Sequence, residues 1–299
     1  MQVMEDTQSM TGSAVGRSAA SIITIVVVAA VFGTLGSWGG MVWRGVPLFA
    51  LLVALALLAQ WAAFVPAYLA QSEHYYDLVG ASSYVVIALL GALAKSDPRS
   101  VLLALLIIVW AARLGSFLFS RIRLAGADRR FEGIRNSASR FLLAWTLQGL
   151  WIVLTAGAGL AAMTSAEMVP LDFWAWLGLA LWLAGFLIEV VADRQKRQFR
   201  RDPANSDRFI TSGLWAWSRH PNYFGEILLW IGVAVLAWPA LVGWQHATLI
   251  SPLFVYLLLT RVSGIPLLER DGRRRWGDDP TYQHYGLFIV KGGHRGSLN

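Results

Sequence analysis

The segment Ser218-Arg219-His220-Pro221-Asn222-Tyr223-Phe224-Gly225-Glu226 places six polar or ionisable side chains at the start of an apolar helix. A membrane-spanning helix is penalised for such groups unless they bind something. Pro221 suits a first helical turn, where its missing N–H would be unpaired anyway, and helix N-termini attract anions. The stretch therefore reads as the cytosolic mouth of a buried site for a charged ligand. Asp193, Arg197, Arg200 and Arg208 precede it. Together they offer an acceptor for hydroxyls and forked donors for phosphates; the competing reading is that these arginines only set membrane topology.

Two further polar sets stand on other spans. Glu73, His74, Tyr75, Tyr76 and Asp77 precede or open one helix, and Arg113 lies well inside the next. An arginine that deep needs a partner or a wet cavity. Asp77 is either an interfacial carboxylate or a buried acid whose raised pKa lets it donate a proton. Arg261, Glu269, Arg270 and Asp271, followed by Tyr282 and Tyr285, form the last set. The spacing His-x-x-x-His is absent and His246, His284 and His294 are isolated, so no metal is assigned. Neither Gly-x-Gly-x-x-Gly nor a Walker loop occurs, so a bound nucleotide would have to sit outside any Rossmann domain.

The elements that position these groups follow from composition. The 299 residues are 56% hydrophobic and 14% charged, with a mean hydropathy of +0.53, which exceeds what a soluble core needs. With no Cys, thiolate nucleophiles, disulfides and Cys-held metals are excluded. The net charge of +7 does not indicate nucleic acid, because the basic residues cluster beside apolar spans, where they set topology and meet anionic lipid headgroups. Apolar runs near 21–38, 46–70, 78–95, 100–120, 141–163, 171–192, 222–240 and 245–264 each approach the length that crosses a bilayer. The expected fold is an all-α integral membrane bundle of about seven or eight transmembrane helices. Arg121–Arg140, Arg194–Arg208 and Arg270–Arg275 mark cytosolic loops and put both termini in the cytosol; Lys95 and Arg99 fall on the outer side, against this pattern. Residues 1–20 read as a disordered cytosolic leader, 21–45 as an extra span with its loop, and Arg194–Gly213 as a long polar loop. Trp38, Trp43, Trp174, Trp238 and Trp244 read as interfacial anchors.

Trp110-Ala-Ala-Arg113-Leu-Gly, Asp128-Arg-Arg-Phe131, Gly213 through Glu226, and Leu267-Leu-Glu-Arg270 through Tyr282-Gln-His-Tyr285 resemble the DUF1295 group of bacterial membrane proteins, within the steroid 5α-reductase superfamily. The likeness implies a membrane domain over 46–290 with a flexible tail, 291–299, in a bacterial inner membrane. It also implies NADPH in a cytosolic-side cavity and hydride transfer to a conjugated C=C bond of a steroid-like or other lipid enone. Carried over residue by residue, the family's Asn-x-x-Gly-Glu pattern falls on Asn222 and Glu226, its loop aspartate and arginines on Asp193, Arg197, Arg200 and Arg208, and its last-helix arginine on Arg261. Arg219, His220, Tyr223 and Glu269 join them as cofactor-side residues. Asp77, with Tyr76 adjacent, is nearest to the family's substrate-side glutamate, and Arg113 would hold the cofactor or orient the acid. The chain departs from the family there, and again at Glu269, where a tyrosine is usual. The pattern Arg219-His220-Pro221-x-Tyr223-x-Gly225 equally resembles isoprenylcysteine carboxyl methyltransferases, which use S-adenosylmethionine. A non-catalytic lipid-binding protein is the remaining alternative.

Overall fold

The computed structural model describes residues 2–125 and 128–285. Among them, eight helices are long and apolar enough to cross a membrane, and the one sheet is a two-stranded hairpin. The protein is an all-α integral membrane protein, and the described residues contain no Rossmann sheet. The expected tail, 291–299, lies outside the described residues.

The chain divides into two compact units. The first holds residues 1–175 and 236–251. In it, α1 (Gln2–Gly36) runs without interruption through the segment expected as an unstructured leader, and its apolar part is Val15–Gly36. A hairpin of β1 (Val42–Trp43) and β2 (Val46–Pro47) follows. Its turn residues Arg44 and Gly45 both have positive φ, 51° and 83°, as a two-residue hairpin turn requires. Then come α2 (Leu48–Leu69), α3 (Tyr76–Lys95), α4 (Pro98–Ala125) and α5 (Ala138–Thr164).

The core of this unit is α5, which is buried almost all round from Trp145 to Thr164. Its run of Gly and Ala lets neighbours approach closely. A Cβ on Gly149 would lie 2.8 Å from Leu57, and one on Gly157 would lie 2.5 Å from the Phe32 ring. At one end of the unit the side chain of Asp97 caps α4, accepting from the amides of Arg99 (2.9 Å) and Ser100 (3.2 Å). Arg99 is 1% exposed and fully engaged: it donates to the carbonyls of Val169, Leu236 and Pro170 and to the Asp172 carboxylate at 2.8 Å. Lys95 pairs with Asp97 at 3.5 Å and donates to the Glu167 carbonyl. The two cations that break the loop-charge pattern thus have internal partners. The five Trp residues expected as anchors are all exposed by 44–59%, with Trp174 stacked on Trp238 at 5.8 Å. That exposure suits rings at a membrane–water interface.

The second unit holds residues 176–235 and 252–299. Here α6 (Phe173–Arg201) extends nine residues beyond the expected end at 192, so the first part of the anticipated Arg194–Gly213 loop is helical. Gln, Lys and Arg are good helix formers, and the helix stops only where Pro203 disfavours helical geometry at Asp202. α7 (Pro221–Ala237) packs on α6 through glycines. A Cβ on Gly225 would stand 2.5 Å from the Gly185 carbonyl, and one on Gly232 would stand 2.6 Å from that of Gly178. The last expected span, 245–264, is not one regular helix. A 3₁₀ stretch (Gly243–Ile250), which belongs to the first unit, leads into α8 (Ser251–Leu257), and the second unit continues with a π turn (Leu258–Val262), α9 (Ile265–Trp276) and α10 (Pro280–His284).

Candidate functional site

In the second unit the C-terminal extension of α6 forms one wall of a cavity of about 360 Å³. Spacing of three and four places Lys196, Phe199 and Arg200 on one helix face, and all three line it. The chain after α6 folds back over the helix end. Gly213 supplies a positive φ of 61°, the Leu214 amide donates to Gln195 Oε1 at 3.0 Å, and Trp215 Nε1 donates to the Ala192 carbonyl at 2.9 Å. Lys196 Nζ then lies 4.6 Å from the centre of the Trp215 ring, within cation–π range.

Arg219 closes the cavity from the α7 side. It donates to Glu269 at 2.8 Å, to the Tyr285 carbonyl at 2.7 Å and to the Tyr282 carbonyl, and its guanidinium lies 4.5 Å from the centre of the Tyr282 ring. Glu269 also meets His220 Nε2 at 3.1 Å. His220 stacks on Tyr223 at 5.6 Å, and its Nδ1 is buried without a hydrogen-bond partner among the described residues. Phe209 packs on Tyr282 (5.1 Å), Tyr285 (5.4 Å) and Trp276 (5.6 Å). Burial and the nearby Glu269 push the Tyr282 hydroxyl up, and burial pushes that of Tyr285 up further, so both remain neutral at physiological pH.

The cavity thus combines Lys196, Arg200, Arg208, Arg219 and Arg275 with packed aromatic rings; its carboxylates are Glu269, already paired, and Asp271. Positive charge beside flat apolar rings suits a ligand with phosphate groups and an aromatic base.

Of the sequence-derived set, Arg200, Arg208, Arg219, His220 and Glu269 line this cavity, whereas Asp193, Arg197, Asn222, Tyr223, Glu226 and Arg261 are not among its lining residues. Tyr223 backs His220. Arg261 is exposed in the π turn, an irregularity often found at functional positions. Sequence reasoning missed Lys196 and Arg275. The signal for Lys196 was its place four residues before Arg200, legible only once α6 is known to continue past 192.

The first unit holds Tyr76, Asp77 and Arg113. Both oxygens of Asp77 accept from Arg130, at 3.0 and 3.2 Å, and Arg121 lies 4.0 Å away; of the two roles the sequence left open, interfacial carboxylate or buried acid, the side chain is found ion-paired. Tyr76 donates to the Ala144 carbonyl at 2.9 Å, within a buried cluster with Phe131, Phe141 and Trp145. Arg113 is half-buried on α4. Glu73, passed over as a site residue, is 5% exposed; it accepts from the Asp128 amide at 2.9 Å and from Arg135 at 3.1 Å. Burial alone would raise its pKa, but the Asp128 amide and the Arg135 guanidinium outweigh burial and hold the carboxyl below its ordinary value.

Known proteins share parts of this chain. An uncharacterised protein of Schizosaccharomyces pombe is 26% identical over 179 residues, which are 49% of this chain and 51% of that protein. The 3-oxo-5-alpha-steroid 4-dehydrogenase 1 of Bos taurus is 36% identical over 70 residues, 23% of this chain and 27% of the enzyme. Its Homo sapiens counterpart is 36% identical over 62 residues, 21% of this chain and 24% of the enzyme. The chain thus spans about half, or less, of the length of these curated relatives. No solved structure matches it. The family model described as a protein of unknown function (DUF1295) matches residues 61–287, well over half of the 299 residues and including both the cavity of the second unit and the Asp77 cluster of the first, and on that match the chain belongs to the DUF1295 family.

Proposed function

We propose that the protein is a membrane-embedded, NADPH-dependent reductase that saturates a conjugated C=C bond of a steroid-like or other lipid enone. The observation that carries this reading is the cationic, aromatic-walled cavity of the second unit. Its dimensions and donor set fit a dinucleotide's phosphates and one of its rings, and the buried Nδ1 of His220, unpartnered among the described residues, is an atom that a ligand would satisfy. The partial likeness to steroid dehydrogenases supports the reaction class.

On this reading Arg200, Arg208 and Lys196 hold phosphate, while Trp215 and the Tyr282–Tyr285 pair flank a ring. Arg219 and Glu269 fix the position of His220 rather than meet the ligand directly, since their hydrogen bonds are already made within the protein. Bound NADPH would supply the hydride. Asp77 and Tyr76 keep the substrate-side role only through what they position: Asp77 holds Arg130, and Tyr76 anchors the start of α3.

The test is thermal stabilisation of the detergent-purified protein by NADPH, NADH and S-adenosylmethionine, because a ligand that binds only the native state raises its melting temperature. NADPH is expected to stabilise the wild type, and Arg200→Ala and Arg208→Ala are each expected to weaken its binding by about 1.5–3 kcal/mol. Stabilisation by S-adenosylmethionine alone would transfer the cavity to the methyltransferase reading. Indifference to all three would leave a lipid-binding protein.

A further inference from the structure

Separate from the cavity above, the first unit carries an apolar groove of about 340 Å³ between α2 and α3. Leu55 and Ala59 of α2 and Leu78, Ser82 and Val86 of α3 line it, with Tyr75 at its mouth. Ser83, on its floor, donates to the Val79 carbonyl (2.8 Å) and accepts from Gln60 (2.8 Å), so the floor has little hydrogen bonding to offer. From Tyr75 to Ile87 the α3 axis advances about 18 Å at ~1.5 Å per residue, roughly one leaflet of a ~30 Å hydrocarbon core. The groove is therefore shaped for a single extended acyl chain.

Its mouth is cationic. Tyr75 is 60% exposed and stacks at 6.1 Å on Phe119, over which lies the Arg123 guanidinium at 6.0 Å. Arg121 is half-exposed and reaches Asp77 only at 4.0 Å. By contrast Arg130 is neutralised by Asp77 and Asp128, and Arg135 by Glu73. Arg121, whose contact with Asp77 is long, and Arg123, which lies over Phe119, are thus placed to meet a ligand at the end of an acyl-chain groove. We propose that this groove binds an anionic phospholipid, one chain along α2 and α3 and the phosphate against Arg121 and Arg123. The proposal does not depend on the reductase reading.

The experiment uses full-length, delipidated protein in detergent and compares melting temperatures with dioleoylphosphatidylglycerol, dioleoylphosphatidylcholine and inorganic phosphate. Phosphatidylglycerol is expected to raise the melting temperature by several degrees more than phosphatidylcholine, and phosphate alone to have no effect. The double variant Arg121→Gln/Arg123→Gln should abolish the difference between the lipids while melting normally in detergent alone. Ala59→Phe, which fills the groove, should abolish the response to both lipids; native mass spectrometry of the same samples should show one fewer retained phosphatidylglycerol, which separates groove blockage from misfolding. Equal stabilisation by both lipids in the wild type, a lipid preference that survives the arginine double variant, or phosphate reproducing the effect would each overturn the proposal.

Discussion

Arg219 shows what a single side chain contributes here. Its fork reaches Glu269 and the carbonyls of Tyr282 and Tyr285, tying the start of α7 to α9 and α10. A lysine has no planar fork to divide among three partners. Arg219→Lys is expected to cost about 1.5–3 kcal/mol of stability and to lower NADPH affinity along with it, read by thermal melting and by cofactor titration; a variant that loses affinity with unchanged melting would instead place Arg219 on the ligand. Glu73 allows a pH prediction. Its folded pKa lies below the ordinary 4.5, so its contribution to stability is complete above about pH 5 and is lost as pH falls through the folded value. The wild type should therefore lose melting temperature between about pH 5 and pH 3 more steeply than Glu73→Gln, which keeps an acceptor for the Asp128 amide but no longer titrates. Parallel slopes would mean that the carboxylates of Asp97, Asp128 and Asp172, whose pKa values are also lowered, account for the acid sensitivity instead. Residue chemistry was partly legible in the sequence: the types at 219, 220 and 269 announced a polar cluster, whereas the partners of Asp77 could not be known, because Arg130 lies 53 residues away along the chain.

At the scale of elements, α6 and α7 pack through Gly185 and Gly225, each of whose added Cβ would meet the other's carbonyl at 2.5 Å. The glycine inside the polar motif that opens α7 is thus a packing residue that lets two helices approach, and it places Glu189 beside the motif, since the same added Cβ would lie 2.7 Å from the Glu189 amide. Gly225→Ala must push backbone against backbone and is expected to destabilise by about 1–3 kcal/mol. Gly16→Ala, on α1 with open space at its Cβ, should be neutral or slightly stabilising. Melting both variants in the same detergent decides the matter: equal behaviour would show that α6 and α7 separate at little cost. Hydrophobicity revealed where the helices run but not where they end. It missed the α6 extension, which is polar because it leaves the apolar region while remaining helical, and the π turn before α9, which depends on packing rather than composition.

For the whole molecule, the eight spans of the described residues, and the lack of a Rossmann sheet among them, were legible in the sequence because bilayer thickness imposes a length and a composition that few other structures share. The cavity was only half legible, since its walls come from segments as far apart as Lys196 and Tyr285. Loop charge predicts the orientation. The end of the first unit that carries the 121–140 segment has six arginines at 121, 123, 129, 130, 135 and 140, while the 95–99 connection has Lys95 and Arg99, and the positive-inside bias counts such residues during insertion, before their partners have formed. Reporter fusions at Ser137, Asn205 and the C-terminus are therefore expected to read cytosolic, and one near Glu167 external. Shifting the balance should matter in proportion: neutralising the arginines between 121 and 140 as a set should produce mixed orientations, whereas Arg99→Gln should leave orientation intact and lower stability, because Arg99 serves buried carbonyls and Asp172. An external signal at Asn205, which follows directly on the α6 wall of the cavity, would cut that cavity off from cytosolic NADPH and defeat the reductase reading regardless of how well the cavity fits a dinucleotide.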